Sequence, residues 1–215
     1  MKQSFFVCVT AAVVFSFSVA SVKADDLYPP PWERGQPNTT FQDWDFNSNL
    51  NPSAPDEGLF NPNGTPHATI TGTGNTWEQF YDNHNGVWTL SGASSSMDLG
   101  IPNTPYDDTR IKNLWTQITW EPDADQDTPV VMVNGIPVTA FTTYLVGNGS
   151  WKQSVYQTTL APNPAFEDVV ITGSYYLGQV VVDTECIPEP SSLALLALGA
   201  LSLLPYASRK RRLAA

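Results

Sequence analysis

Leu114-Trp115-Thr116-Gln117-Ile118-Thr119-Trp120 is the stretch on which the fold turns. Leu114, Thr116, Ile118 and Trp120 fall on one parity, and Trp115, Gln117 and Thr119 on the other. A period of two is that of a β-strand with one buried face. With the first set as the core, Trp115 points outward. Downstream, residues 129–133 and 136–144 flank Asn134-Gly135, a pair that accepts positive φ at both positions and so closes a two-residue hairpin. Residues 150–160, 165–173 and 175–185 continue the pattern. Upstream, Trp44 and Phe46 share a parity in 39–46, and 67–71 and 87–91 read as short strands. Residues 25–37, with Pro29-Pro30-Pro31-Trp32, form an irregular lead-in, and the proline- and asparagine-rich stretch 47–66 a long surface loop.

The sum is about nine or ten strands and no helical period of useful length before residue 192. The expected body is all-β, an antiparallel β-sandwich of jelly-roll-like kind, in which first and last strands pair and set 41–46 beside 180–183.

The ends carry a different message. Lys2, an apolar run over residues 5–15 and the small-residue sites Ser18-Val19-Ala20 and Val22-Lys23-Ala24 have the order of a secretory signal, with removal expected after Ala24. At the other end come Ile187-Pro188-Glu189-Pro190, a Leu/Ala/Gly-rich run suited to a hydrophobic helix at about 192–207, and Arg209-Lys210-Arg211-Arg212. Two prolines spaced by one residue make a stiff extended segment. The helix, at ~1.5 Å per residue, is slightly short of a ~30 Å hydrocarbon core. Its basic end stays on the cytoplasmic side, which places the body across the membrane.

Pro188, Glu189 and Pro190, followed by the short helix and the basic cluster, resemble the PEP-CTERM sorting signal of Gram-negative bacteria. The resemblance covers only about residues 187–212. It implies an exosortase-type membrane protease as partner, cleavage near Pro188 to Pro190, transient inner-membrane anchoring, and delivery to the cell surface or an extracellular, exopolysaccharide-rich matrix. The chain therefore divides into a signal peptide (1–24), an extracellular β-sandwich (25–187) and a sorting signal (188–212). An uncleaved single-span anchor is the alternative reading of the same tail.

Residues 25–187 hold four of the ten Lys and Arg and twenty of the 21 Asp and Glu, a formal charge of −16 against −11 for the whole chain. Such a body repels phosphate backbones, which argues against nucleic acid as a partner and leaves neutral glycans, matrix proteins or divalent cations. Of the two cysteines only Cys186 lies outside the signal, so the body cannot form an internal disulfide. Two histidines, His67 and His84, sit in no nucleophile or zinc spacing, and the carboxylates Glu78, Glu121 and Glu167 form no recognisable pair. A non-enzymatic, cofactor-free body is expected. The one ion the pattern could accommodate is Ca²⁺, because Asp123, Asp125 and Asp127 have the alternate spacing that begins a calcium loop, though Thr128 and Asn134 then depart from it. All seven tryptophans lie in the body. Trp115, Trp77 and Trp88 are candidates for a sugar-stacking platform, with core filling as the competing role, and such a platform would make the body a carbohydrate-binding module or glycan-active protein on the same sandwich instead of a structural or interaction protein.

Overall fold

The computed structural model describes residues 26–123, 128–146 and 149–189. They form two antiparallel sheets facing one another. The expected signal segment, the helix at 192–207, Pro190 and the basic cluster Arg209 to Arg212 lie outside these residues, and no helix of the described residues is long and apolar enough to cross a membrane.

Thirteen strands are present among the described residues. The larger sheet holds β1 (Thr39–Trp44), β2 (Gly58–Phe60), β4 (Thr76–Tyr81), β5 (His84–Leu90), β7 (Arg110–Pro122), β10 (Ala140–Leu145), β11 (Lys152–Leu160) and β13 (Tyr175–Pro188). Its main order is β10-β11-β7-β13-β1-β2, and β4 joins through β5, which also pairs β13. The smaller sheet runs β3 (His67–Thr71), β6 (Ser96–Pro102), β12 (Phe166–Thr172), β8 (Val130–Val133), β9 (Ile136–Val138). First and last strands pair as expected, Phe41 opposite Asp183 and Trp44 opposite Val180. Asn134 and Gly135 take φ of 49° and 76°, both positive as the hairpin between β8 and β9 requires.

The strand excess over the sequence reading has local causes. β6 escaped because Gly100 interrupts Met97, Leu99 and Ile101, which nevertheless alternate inward and are fully buried. β2 lies within the proline-rich stretch. The single strand expected at 136–144 is two: the chain leaves the smaller sheet after Val138 and enters the larger one at Ala140, so β9 and β10 belong to opposite layers.

The core is the row Leu114, Ile118 and Trp120 on β7 with Tyr175, Leu177, Val180 and Val182 on β13, packed against Met97, Leu99, Ile101, Val131, Val133, Val169 and Ile171 of the smaller sheet. A register shift between Leu177 and Gln179 changes the inward parity of β13 from odd to even. Without that bulge, Val180 and Val182 would face outward.

Trp115 lies on the other face of the larger sheet, as its parity requires, but that face is covered around it rather than open to solvent. Residues 26–37 lie across it. The Tyr28 N–H donates to Gln117 Oε1 (3.0 Å), Trp115 Nε1 donates to the Tyr28 carbonyl (2.8 Å), and Gln117 Nε2 donates to Asp26 Oδ1 (2.6 Å). The Tyr28 and Tyr144 rings stack at 3.6 Å. Arg34 lies 4.0 Å over the Phe41 ring, donates from Nε and Nη2 to the two oxygens of Asp183 (2.5 and 2.6 Å) and also pairs with Asp26. Gln117 is as buried as the core itself, and so are Thr119 and Gln179 farther along the same row, which bond to one another and to Gln153 and Asp43.

Two carboxyls are held under this cover. Burial pushes Asp43 up to about 8, the Asp45 charge adding to the rise and the Gln179 hydrogen bond opposing it. Burial raises Asp183 to about 6 against the pull of Arg34. Arg34→Ala would strand the buried Asp183 carboxylate and is expected to cost about 2–4 kcal/mol at pH 8, less at pH 5 where Asp183 can take a proton, read by urea unfolding at the two pH values. Both groups bind protons more tightly folded than unfolded. Their contribution is therefore fully present below the unfolded carboxylate value of about 4 and is lost as pH rises through about 6 and then about 8. The urea midpoint should fall across that window, and Asp43→Asn should flatten its upper part.

Candidate functional site

The crossing from β9 to β10 opens the edge of the sandwich. Beside the point where the chain passes from one layer to the other at Thr139 lies a cleft of about 580 Å³. Val138, Ala140 and Thr143 line one side, Trp120, Lys152, Ser154 and Tyr156 the other, with Pro129, Val130 and Leu145 at the rim. Lys152, Ser154 and Tyr156 are opposite Trp120, Ile118 and Thr116 in the β11–β7 ladder, so they share the inward row.

The walls are held by hydrogen bonds rather than left to rotate. Trp120 Nε1 donates to Ser154 Oγ (2.9 Å), which is also 2.9 Å from Thr143 Oγ1. Tyr156 Oη donates to the Pro129 carbonyl (2.8 Å). The Lys152 ammonium lies 4.9 Å from the centre of the Trp120 ring, a cation–π contact that puts one positive charge in the cleft of an otherwise acidic body. An apolar recess with a few fixed polar groups suits a small ligand or part of a chain presenting an apolar face and hydrogen-bonding edges.

None of the tryptophans singled out from the sequence lines this cleft. Trp77 and Trp88 face one another across the β4–β5 ladder. Trp88 is in the core, and Trp77 packs partly buried against it with Nε1 donating to the Phe46 carbonyl (2.9 Å). Trp115 is on the opposite face of the larger sheet, half-buried beneath Tyr28 and 6.3 Å from the exposed Phe141 ring. The three are not brought together, and each ring is largely committed to packing. What the sequence reading passed over was the Lys152–Ser154–Tyr156 row, whose parity signal was present but whose facing partner, β10, was not separable from β9.

The acidic candidates are also dispersed. Asp123 accepts a hydrogen bond from Ser174 Oγ, and Asp125 and Asp127 lie outside the described residues. Among the described residues no three His, Cys, Asp or Glu side chains gather to hold a metal. Glu78 is exposed on β4, Glu121 is buried at the end of β7 and accepts from Ser150, and Glu167 is wholly buried on β12. His84 rests against Trp151 at 4.6 Å with Nδ1 at 2.9 Å from the Asn85 carbonyl. Of the sorting residues, Pro188 is the last of β13, and the Glu189 N–H donates to the Thr109 carbonyl (2.9 Å).

Comparison with known proteins locates one segment. Residues 187–212 match the PEP-CTERM protein-sorting motif. No curated protein matches the chain. Among solved structures, it is similar to an exo-β-1,3-galactanase of Phanerochaete chrysosporium (13% identity, TM-score 0.32, 54% of this chain and 26% of that one) and to an isomalto-dextranase of Arthrobacter globiformis (11%, 0.33, 58% and 24%). It is also similar to tailspike protein 4 of bacteriophage CBA120 (11%, 0.27, 70% and 20%). The chain thus spans about a quarter or less of each, and likeness at this level carries no argument about activity.

Ser154→Ala would leave the buried Trp120 indole N–H without its acceptor. It should cost about 1–2 kcal/mol in urea unfolding and alter the tryptophan emission, while Thr143→Ala on the exposed side should cost less.

Proposed function

We infer that the protein is an exported surface or extracellular-matrix protein, sorted through its C-terminal tail and contributing a non-catalytic, jelly-roll-like sandwich as an interaction module. The observation that carries this reading is the sorting motif over residues 187–212, which begins at the end of the longest strand. The motif speaks for export to the cell surface through a membrane-anchored intermediate and for an exosortase-type protease as the processing partner. The body's −16 charge suits a hydrated, neutral or cation-bridged surrounding and supports its placement in an exopolysaccharide matrix.

A second reading, glycan binding, is favoured by the cleft beside Trp120 and Tyr156 rather than by Trp115, Trp77 or Trp88. Its aromatic and hydroxyl lining offers both an apolar wall and hydrogen-bonding edges to a sugar.

The intact mass of the protein from the native envelope and medium tests the first reading. A species that begins near residue 25 and ends between Pro188 and Pro190 is expected; one retaining Arg209 to Arg212 at the surface would replace sorting with simple anchoring. For the second, retention on a glycan array is expected to disappear in Ala140→Trp, which fills the cleft, and to persist in Trp115→Ala.

A further inference from the structure

Continuing the inward row of β7 past Leu114 leads to Lys112, an amine placed in the core. Lys112 is 1% exposed. It reaches from the larger sheet across to the end of the smaller one, where Asn103 follows β6 and Glu167 begins the inward row of β12. Lys112 Nζ lies 2.5 Å from Asn103 Oδ1, 3.2 Å from Thr184 Oγ1 and 3.5 Å from Glu167 Oε1. Glu167 Oε1 in turn accepts from Asn103 Nδ2 at 2.7 Å. An amine, a carboxamide and a carboxyl group are thus in mutual contact where water is excluded.

The carboxamide is held in one orientation by its neighbours. Its oxygen faces donors, the Thr104 backbone N–H at 2.7 Å and Lys112. Its nitrogen faces acceptors, the Asn163 side-chain oxygen at 2.9 Å, the Pro164 carbonyl at 2.6 Å and Glu167. Donors at the oxygen polarise the C=O bond, and acceptors at the nitrogen oppose its flip. Since Cγ is only ~1.23 Å from Oδ1, Nζ is within about 3.7 Å of the carbon, close to the separation from which nucleophilic attack proceeds.

From this constellation we propose that the body crosslinks itself, forming an amide between Lys112 Nζ and Asn103 Cγ with release of ammonia and with Glu167 as the proton carrier. Glu167 takes a proton from the Lys112 ammonium, leaving a neutral amine beside a carboxylic acid. The Nζ lone pair adds to Cγ, and the carbonyl pair moves to Oδ1, where the Thr104 N–H stabilises the developing charge as an oxyanion donor does. As the C=O re-forms, the Cγ–Nδ2 bond breaks. Nζ sheds two protons in all: one leaves on Nδ2 as ammonia, the other stays on Glu167 or departs with the ammonia as ammonium. Nothing is oxidised or reduced, and no co-reactant is needed.

The surroundings suit the step. Glu167 is fully buried, its Oε2 has no hydrogen-bond partner, and burial lifts its carboxyl to about 7 against the pull of Lys112, so both protonation states are accessible near neutrality. A buried charge pair has a large desolvation cost, which conversion to a neutral amide removes. The bond would tie the end of β6 in one sheet to β7 in the other, a covalent link between layers in a body whose single cysteine, Cys186, cannot make one.

Tryptic mapping of the folded full-length protein decides the matter without any variant. Cleavage after Arg110 separates Asn103 from Lys112, so the crosslink appears as a joined species of peptides 35–110 and 111–152, lighter than their sum by one ammonia and resistant to cutting at Lys112. Unjoined peptides with cleavage after Lys112 from folded protein would overturn the proposal. Loss of ammonia without joining would overturn it in favour of cyclisation at Asn103 alone. Glu167→Gln is expected to abolish the joined species, and Lys112→Met to abolish it while keeping the fold through an uncharged side chain of similar length. Joining at wild-type yield in a folded Glu167→Gln protein would remove Glu167 from the mechanism.

Discussion

The ladder between β7 and β13 is the constraint from which the rest of the molecule follows. It runs unbroken in direction from Tyr175 opposite Pro122 to Pro188 opposite Arg110, with the single bulge that re-aims β13. Two long central strands demand cover on both faces, because each carries a full row of side chains inward and another outward. The smaller sheet covers the inner row. In the outer row, Trp115, Gln117 and Asp183 are covered by a segment without regular structure, which therefore has to satisfy polar groups by side-chain hydrogen bonds and one arginine rather than by a ladder.

That difference separates what was legible in the sequence from what was not. The alternation from Leu114 to Trp120, the Asn134-Gly135 turn and the pairing of 41–46 with 180–183 are local or parity-based signals, and the structure repeats them. The cover over Trp115 depends on contacts such as Arg34 to Asp183, 149 residues apart, and no local pattern announces a docking of that kind. β6 was hidden by a glycine, and the layer change at Thr139 by the continuity of apolar residues on either side of it.

Lys112 and Glu167 are instructive because the signal for them was present. Each extends an alternation present in the sequence, Lys112 that of Leu114 to Trp120, Glu167 that of Val169 and Ile171. Reading charged residues as strand ends is the sensible default, since buried charges are costly. Here the parity persists past the apolar run, and two charges that would be expected at the surface meet inside it. The cleft by Trp120 has the converse history: its residues are ordinary strand residues, and only the change of layer after β9 gives them an opening to line.

The same central strand has a mechanical meaning at its far end. β13 is flanked by β7 along its length and by β5 and then β1 on its other side, and it ends at Pro188, where the sorting motif begins. A tension applied to the chain at that point is directed along the strand axis, so the hydrogen bonds of both flanking ladders share the load in shear instead of opening one after another. The Glu189 N–H bond to Thr109 is the first to feel it. A tether leaving the body at Pro188 would pull on the longest strand of the sandwich, and its load would pass sideways into β7, β5 and β1 before reaching the smaller sheet.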